Sequence, residues 1–180
     1  MRNAAIALGF VGLTAGMAFG ADDVDTQNST VGGTIPELCQ IGIAGDLSGL
    51  LTLTQDGTGE TAYDAGYVES AASATVLTLD ANKQWSLGVN YSGAGWSAPG
   101  TYDKDENDLL IQITNTPTGT VENSYGSYQT TSSSKTAILS HTAGVSNNTV
   151  DIQTRVLLDW TQDIPGAYSI TLVYTMETTP

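Results

Sequence analysis

The sequence predicts an all-β fold, specifically an Ig-like antiparallel β-sandwich of about eight to ten strands. The strongest observation is a period of two near the chain end, where apolar residues alternate with polar ones in two runs. The apolar members are Val150, Ile152, Val156, Leu158 and Trp160 in the first run, and Tyr168, Ile170, Leu172, Tyr174 and Met176 in the second. Such alternation is typical of strands that bury one face. Two strands cannot cover that face alone, so we expect a second sheet.

A second observation concerns the rest of the chain, where short apolar runs alternate with clusters of Gly, Asn, Pro and Ser. This arrangement is typical of all-β proteins. No stretch after the first twenty residues shows a convincing period of 3.6, so we expect almost no helix. The expected strands cover residues 34–43, 50–54, 74–80, 84–91, 109–114 and 137–140, with a loop at 55–74.

Some of these elements carry specific expectations. The runs Ala74–Asp80 and Gln84–Tyr91 flank Asn82-Lys83, which predicts a hairpin. In the strand Leu109–Thr114, the inward residues are expected to be Leu109, Ile111 and Ile113. The stretch Thr116–Lys135 is rich in Thr, Ser, Gly and Tyr, which predicts a long loop or a weak edge strand.

The first twenty residues have the features of a secretory signal peptide. Arg2 gives a positive start, Ala4–Ala18 is apolar, and Ala18-Phe19-Gly20 fits a cleavage site after Gly20. The apolar run is short and rich in glycine for a membrane span, although a retained N-terminal anchor is the alternative. We therefore expect a signal peptide at 1–20, a polar leader at 21–33 and the sandwich domain at 34–180, in a protein that is secreted or placed on the cell surface.

The charge balance excludes two classes of partner. The chain carries five Lys and Arg residues against nineteen Asp and Glu residues, a net charge of −14. Removal of residues 1–20 takes away Arg2 and no acid, so the mature charge becomes about −15. A surface this acidic repels nucleic acid and anionic lipid headgroups, so we expect no nucleic acid partner and no membrane contact after signal cleavage.

Cys39 is the only cysteine of the chain, so no internal disulfide is expected. Its neighbours Leu38 and Ile41 favour a strand, in which the thiol would be buried as a small apolar group. The alternative for an exported protein is a disulfide between two molecules.

Two parts of the chain resemble the WxL-type cell-surface domain of bacteria. The first part is Trp85-Ser86-Leu87, which matches the Trp-x-Leu strand of that family. The second part is the chain end, where Tyr168, Leu172 and Pro180 keep the spacing of the closing family motif, with Tyr174 in place of its Trp and Met176 in place of its Leu. The resemblance implies a secreted, non-catalytic β-sandwich held non-covalently at the cell envelope, often on peptidoglycan.

The motif residues have a second interpretation. Trp85, Leu87, Leu172 and Tyr174 all fall on strand positions expected to face inward, as does Tyr168 at the start of the last run. Large aromatic and aliphatic side chains at such positions usually form a sandwich core.

The sequence gives no reason to expect an enzyme. His141 is the only histidine, and Ser140-His141 places the two side chains on opposite sides of a strand, or His141 in an exposed loop. No Gly-x-Ser-x-Gly motif is present. We therefore expect no catalytic residues and no cofactor.

One acidic loop is a candidate calcium site. Asp103, Asp105 and Asn107 place side-chain oxygens at alternate positions, and hard cations prefer such ligands. The EF-hand pattern fails, because Asp108 stands at its glycine position and Thr114 at its final glutamate position. The alternative is a solvated acidic loop.

A group of aromatic residues is a candidate carbohydrate platform. Trp96, Tyr91 and Tyr102 lie in or beside the loop Gly93–Tyr102, and loops of a rigid sandwich often bind ligands. Tyr125 and Tyr128 lie in the Ser/Thr-rich stretch. The alternative is that these aromatic residues pack over the end of the sandwich.

The leading functional hypothesis is an exported, non-catalytic structural protein of the cell surface or extracellular space. It would associate with copies of itself or with other surface proteins, and the leader Ala21–Gly33 would add to a neighbouring sheet edge to build filaments or a surface layer. The alternative is a secreted module that binds carbohydrate or peptidoglycan, with a cell-wall polysaccharide as partner.

Overall fold

The computed structural model describes residues 32–55 and 57–178. The chain divides into two compact units, Met1–Thr34 and Ile35–Pro180. In the first unit the description covers Gly32–Thr34, which have no regular secondary structure. The expected signal peptide, and residues 21–31 of the expected leader, lie outside the described residues.

The second unit is built mainly from strands. The described residues form ten strands, one α-helix and a short 3₁₀ turn at Glu106–Asp108. The elements are β1 (Cys39–Ala44), α1 (Thr58–Ala65), β2 (Tyr67–Glu69), β3 (Thr75–Ala81), β4 (Trp85–Tyr91), β5 (Leu109–Ile113), β6 (Thr120–Val121), β7 (Gln129–Thr130), β8 (Thr136–His141), β9 (Val145–Leu157) and β10 (Leu172–Thr178).

The strands form two antiparallel sheets. The six-stranded sheet has the order β1-β3-β9-β5-β7, with β2 also paired to β9. The four-stranded sheet has the order β10-β4-β8-β6. Their apolar faces pack together, as two sheets with one dry face each must. The predicted all-β sandwich of about ten strands is confirmed.

The core lies between the two sheets and follows the period of two. In β4 the side chains of Trp85, Leu87 and Val89 are buried, and Leu77 and Leu79 of β3 meet them from the other sheet. The alternation expected for the two runs near the chain end is confirmed for the residues that lie inside β9 and β10. The inward residues of β5 and β9 are all buried: Leu109, Ile111, Ile113, Val150, Ile152 and Val156. Each such side chain contributes roughly 1.5–3 kcal/mol by leaving water.

The expected hairpin at Asn82-Lys83 is wrong. β3 pairs with β1 and β9 in one sheet, whereas β4 pairs with β10 and β8 in the other. The connection therefore carries the chain across the core. Asn82 fixes it by accepting from the Leu38 backbone N–H at 2.9 Å and donating to the Pro36 carbonyl at 2.8 Å. Both strands alternate, so their sequences fit face-to-face packing as well as edge pairing.

Two further expectations fail before β3. Residues 50–54 form turns and coil and not a strand. The expected loop at 55–74 contains α1 and β2. Gly66 ends the helix in the left-handed region at φ 76°, and its N–H bonds the carbonyls of Ala62 and Tyr63. A helix of eight residues is too short to show a clear period of 3.6.

Three residues have surroundings that differ from expectation. Trp160 is 58% exposed, because β9 ends at Leu157 and the chain then turns. Cys39 is exposed on β1, so the buried thiol is wrong, while the disulfide between molecules stays a prediction. His141 ends β8, half-buried with its ring centroid 6.2 Å from that of Trp85, and is not an exposed loop residue.

The stretch 116–135 is a long loop with two short strands, β6 and β7, as expected. Its aromatic residues pack against the sandwich. Tyr125 is buried in the core, and the Tyr128 ring lies 3.9 Å from the guanidinium of Arg155. Arg155 also lies 4.1 Å from the Tyr67 ring and donates to Glu69 at 2.7 Å. This cluster ties the loop to β2 and β9.

The core packing gives a first prediction. Replacing Leu87 by Ala removes a fully buried side chain between the sheets. We expect the free energy of unfolding to fall by roughly 2–5 kcal/mol, because the lost contacts leave a cavity. The matched control is Ser86→Ala on the same strand, whose effect should stay within about 0.5 kcal/mol. Urea unfolding followed by tryptophan fluorescence measures both, and equal effects would contradict this account of the core.

Candidate functional site

Two neighbouring depressions lie where β9 ends and β10 begins. The first, which we call the loop cleft, has a volume of about 570 Å³ and is lined by Leu51, Leu53–Gln55, Lys104, part of α1 and residues of 158–168. The second, which we call the inter-sheet cavity, has a volume of about 480 Å³ and lies between the two sheets. Leu51 and Tyr168 line both. Volumes of roughly 300–1,000 Å³ are typical of ligand sites.

The rim of the loop cleft carries an aromatic pair. The rings of Tyr63 in α1 and Trp160 have centroids 4.7 Å apart and are tilted by 37°. The indole Nε1 of Trp160 donates to Asp64 Oδ1 at 3.1 Å. The exposed indole is therefore held by the helix on one edge and on one ring face. An exposed aromatic side chain with a fixed orientation can present its free ring face to a ligand.

The floor of the cleft is a buried ion pair. Lys104 Nζ donates to Asp163 Oδ1 at 2.8 Å, to Asp108 Oδ2 at 2.9 Å and to the Leu157 carbonyl at 3.0 Å. The side chains of Lys104 and Asp163 are each 2% exposed. Asp163 Oδ2 also accepts from the Asp159 backbone N–H at 3.0 Å. The pair anchors the turn that follows β9 and thereby sets the position of Trp160.

The electrostatics of this floor favour the charged ammonium. Burial alone lowers the pKa of Lys104, but the hydrogen bonds that its ammonium donates to Asp163 and Asp108 outweigh the effect of burial, so the pKa is raised. A lysine whose folded pKa is raised contributes stability that is complete below its unfolded pKa of about 10.4 and is lost as the pH rises through the folded value. The ion pair therefore contributes fully at neutral pH.

The predicted platform residues do not form one surface. Tyr102 belongs to the floor, where its hydroxyl donates to Asp163 Oδ1 at 3.1 Å and its ring meets Tyr168 edge-on at 6.2 Å. Burial, reinforced by that hydrogen bond, raises the pKa of Tyr102 to about 12. Trp96 lines the inter-sheet cavity, and Tyr91 lies at the end of β4 opposite Leu172. The structure thus favours aromatic residues that pack over the sandwich end at these positions.

The inter-sheet cavity has an apolar lining with unpartnered polar atoms beneath it. Trp96 Nε1, Thr154 Oγ1 and Tyr174 Oη are shielded from solvent and have no hydrogen-bond partner among the described residues. Burial raises the pKa of Tyr174. Apolar side chains from both sheets make up the rest of the wall, among them Leu109, Val156, Ile170 and Leu172. Buried polar groups without partners are uncommon and each costs about 1–3 kcal/mol.

The WxL-like positions are core or near-core residues. Trp85 and Leu87 are fully buried, and Leu172 and Tyr174 pack against the same cluster while half-buried. Tyr168 precedes β10, and its hydroxyl donates to the Ile164 carbonyl at 2.6 Å. Trp85 and Leu87 are therefore core residues, as the second interpretation expects. Tyr168 and Tyr174 in addition line the inter-sheet cavity.

The calcium candidates lie on one exposed turn. Asp105 Oδ1 accepts from the backbone N–H of Asn107 at 2.9 Å and from its side-chain amide at 2.8 Å. Asp103 is exposed before the buried Lys104. Among the described residues, no group of three or more His, Cys, Asp or Glu side chains is placed to hold a metal ion. Calcium at Asp103, Asp105 and Asn107 stays a prediction.

The Ser140-His141 pair is engaged elsewhere in the sandwich. Ser140 Oγ donates to Glu122 Oε1 and not to the imidazole. Ser140 and His141 are neighbours on β8, so their side chains leave opposite faces of the four-stranded sheet. This geometry does not couple the serine to a histidine base.

The residues that form the loop cleft were not predicted. Tyr63 falls within the expected loop 55–74, and the period of two places Trp160 on the buried face of the last but one strand. A sequence feature that separates Trp160 from that strand is the polar run Thr161-Gln162-Asp163 followed by Pro165-Gly166, which favours a turn. Nothing local reveals that Lys104 pairs with Asp163, since 59 residues separate them.

The chain matches no protein-family model, and no curated protein matches it at a significant level. The resemblance to the WxL-type domain therefore stays a prediction based on its short motifs. In the part of the chain that the structure describes, no helix is both long enough and apolar enough to span a membrane.

The buried ion pair gives a second prediction. Asp163→Asn leaves the Lys104 ammonium buried with one carboxylate partner fewer, so we expect the free energy of unfolding to fall by about 3–5 kcal/mol. The matched control is Glu37→Gln, which breaks the exposed pair of Glu37 with Lys83 at 2.6 Å and should cost less than about 1 kcal/mol. Chemical unfolding measures both. A loss for Asp163→Asn no larger than the control would show that the pair does not hold the turn.

Proposed function

We propose that the protein is an exported, non-catalytic structural protein of the cell surface or extracellular space, and that its copies associate through the free edge of β1. The observation that carries this proposal is the composition and exposure of that edge. Export is supported by the signal-like residues 1–20. A non-catalytic role is supported by the single histidine and by the WxL-like motifs.

The edge of β1 has none of the features that usually prevent sheet-to-sheet association. β1 pairs with β3 in six consecutive positions, and no described strand pairs with its other edge. Five of its six residues are exposed. Natural edge strands are commonly protected by charged side chains, proline or bulges. The sequence of β1, Cys-Gln-Ile-Gly-Ile-Ala, contains no charge and no proline, so its backbone is open to a further strand.

The charge distribution favours association at this edge over other surfaces. Glu37 is the only charged residue in the segment 32–44, and Lys83 neutralises it. The rest of the molecule is strongly acidic, and each of the four cations among the described residues is already paired with an acid. Two copies therefore repel each other in most orientations, and the β1 edge offers a neutral approach.

The free edge gives a third prediction. Gln40→Lys places a charge on the exposed edge of β1, and a lysine there opposes pairing with another sheet. We expect the purified mature protein to form oligomers at about 0.15 M salt, where charge repulsion is screened beyond roughly 8 Å. The substitution should reduce those oligomers at least tenfold. Analytical ultracentrifugation and electron microscopy measure the distribution.

The matched control is Thr149→Lys, which adds the same charge at an exposed position of β9, where the chain is already paired with Thr78. It should leave the oligomers unchanged. A wild-type protein that stays monomeric, or equal effects of the two lysines, would rule out association through β1.

A second candidate function is binding of a neutral saccharide in the loop cleft, and the exposed, oriented Trp160 specifically favours it. A sugar ring presents a C–H face that packs on an aromatic ring, while its hydroxyls bond carboxylates and amides such as Glu60 and Gln55 at the cleft wall. Neutral sugars are favoured because the described cations are already paired, leaving an acidic surface that repels polyanions.

The cleft gives a fourth prediction. If it binds saccharides, the protein should be retained on purified peptidoglycan or on cellulose, and Trp160→Ala should lower retention at least tenfold through loss of the stacking surface. Trp160→Phe should keep part of it. The matched control Val173→Ala removes an exposed apolar side chain from β10, outside the cleft, and should change nothing. Absence of retention on both polymers, or retention that survives Trp160→Ala, would count against the saccharide site.

A further inference from the structure

We infer that the inter-sheet cavity of one copy receives the segment Ile35–Leu38 of a second copy. This inference rests on the proposed self-association and names the segment that completes it. We call Ile35–Leu38 the arm. It leads directly into β1 and belongs to the same compact unit as the strands.

The cavity lies where the two edge strands of the sandwich separate. At one end β1 and β10 approach closely, since Cys39 Sγ lies 3.6 Å from the Met176 carbonyl oxygen. Toward the other end, Ile43 of β1 and Leu172 of β10 line the inter-sheet cavity. Ile43 is nevertheless 65% exposed, so the cavity opens beside the free edge of β1. The apolar lining of this cavity therefore remains partly in contact with water, because no further side chains cover it beside the unpaired edge.

Gly45 keeps this mouth in place. It follows the last residue of β1 with φ 107°, a left-handed value that favours glycine, and a Cβ there would collide with the Ala74 carbonyl. The backbone therefore turns directly beside the start of β3 at this point. The turn lets the segment from Asp46 to Leu51 form the outer wall of the cavity.

The arm presents apolar side chains that are unsatisfied within its own molecule. Ile35 is 85% exposed and Leu38 is 59% exposed, the former among the most exposed large apolar residues described. The bonds of Asn82 to the Leu38 N–H and to the Pro36 carbonyl hold the arm against the turn after β3. Pro36 favours polyproline II geometry around it, in which residues three apart share a face. Ile35 and Leu38 can therefore enter one cavity together.

The unpartnered polar atoms around the cavity match an extended peptide. The indole N–H of Trp96 only donates, whereas the hydroxyls of Thr154 and Tyr174 donate and accept. An extended backbone without internal hydrogen bonds supplies carbonyl acceptors beside its apolar side chains. A purely hydrocarbon occupant would leave these atoms unpaired. Because they are shielded from solvent in the free molecule, the lining side chains must rotate slightly as the arm enters.

The positions of arm and cavity determine the kind of assembly. The arm precedes the first residue of β1, and the cavity lies near its last residues, so roughly 17 Å of strand separates them at about 3.3 Å per residue. The arm, held at Asn82, therefore does not reach the cavity of its own molecule. The contact is therefore made between copies. Repeated in one direction it gives an open chain, and made reciprocally between two copies it gives a closed dimer.

Complementary variants test this arrangement. The arm variant Ile35→Ser/Leu38→Ser keeps an intact cavity, and the cavity variant Ile170→Trp, which fills the space from the β10 side, keeps an intact arm. We expect each variant alone to be monomeric by analytical ultracentrifugation under conditions in which the wild-type protein forms oligomers. An equimolar mixture should form dimers and nothing larger, because each pair of molecules can make only one contact between an intact arm and an intact cavity.

The outcomes separate this inference from the proposed function. Oligomers that persist in either variant would overturn arm insertion while leaving association through β1 intact. Variants that are monomeric alone and also in the mixture would overturn arm insertion as well. A monomeric wild-type protein would overturn both. Thermal unfolding of each variant shows whether it is folded.

A cross-linking measurement covers the case of a misfolded variant. In a Cys39→Ser background, Ile35→Cys and Ile43→Cys proteins are mixed and oxidised. Both positions are exposed, so folding should be preserved. Arm insertion predicts a disulfide between the two different proteins in preference to either homodimer, and a statistical mixture would contradict it.

Discussion

Apolar contact between the inner faces of the two sheets holds this molecule together, because a chain with a single cysteine has no internal disulfide. The thirteen-residue β9 organises that contact. It pairs with β3 and β5 along its length and with β2 near its end, so it joins the whole six-stranded sheet. β4 has the corresponding place in the other sheet, between β10 and β8. The ends of these strands then determine where the loop cleft and the inter-sheet cavity lie.

The elements that could be predicted from the sequence are those whose information is local. A period of two identifies the buried parity of β4, β5 and β9 without any knowledge of their partners. The strand with which each strand pairs depends on distant residues. For that reason the local sequence predicts a hairpin of β3 and β4, although the two strands lie in opposite sheets. The polar side chain of Asn82 supports the crossing by bonding the arm before β1, 44 and 46 residues away in sequence. No local pattern encodes that contact.

The candidate site was hidden for a related reason. Lys104 occurs within a run of acids, and such a run suggests either a cation site or a solvated loop. In the folded chain its ammonium is buried against Asp163, so the loop is held by an internal cation. Trp160 continues the apolar alternation of β9 in the sequence, but it lies beyond Leu157, the last residue of that strand. Periodicity could not show where the strand stops, whereas the turn residues after Asp159 determine it.

The loop cleft and the inter-sheet cavity both exist because the sandwich is incompletely closed at one end. β1 and β10 meet near Cys39 and separate toward Ile43, and the segment 158–171 covers only part of the opening. Tyr168 lines the loop cleft on one side and the inter-sheet cavity on the other, and its hydroxyl is fixed by the backbone of Ile164. A sandwich closed at this end would bury Ile43, which is 65% exposed. The free molecule instead leaves apolar surface and unpaired polar atoms at one end, and exposed Ile35 and Leu38 at the other, and this complementarity supports the proposed insertion of one copy's arm into another copy's cavity.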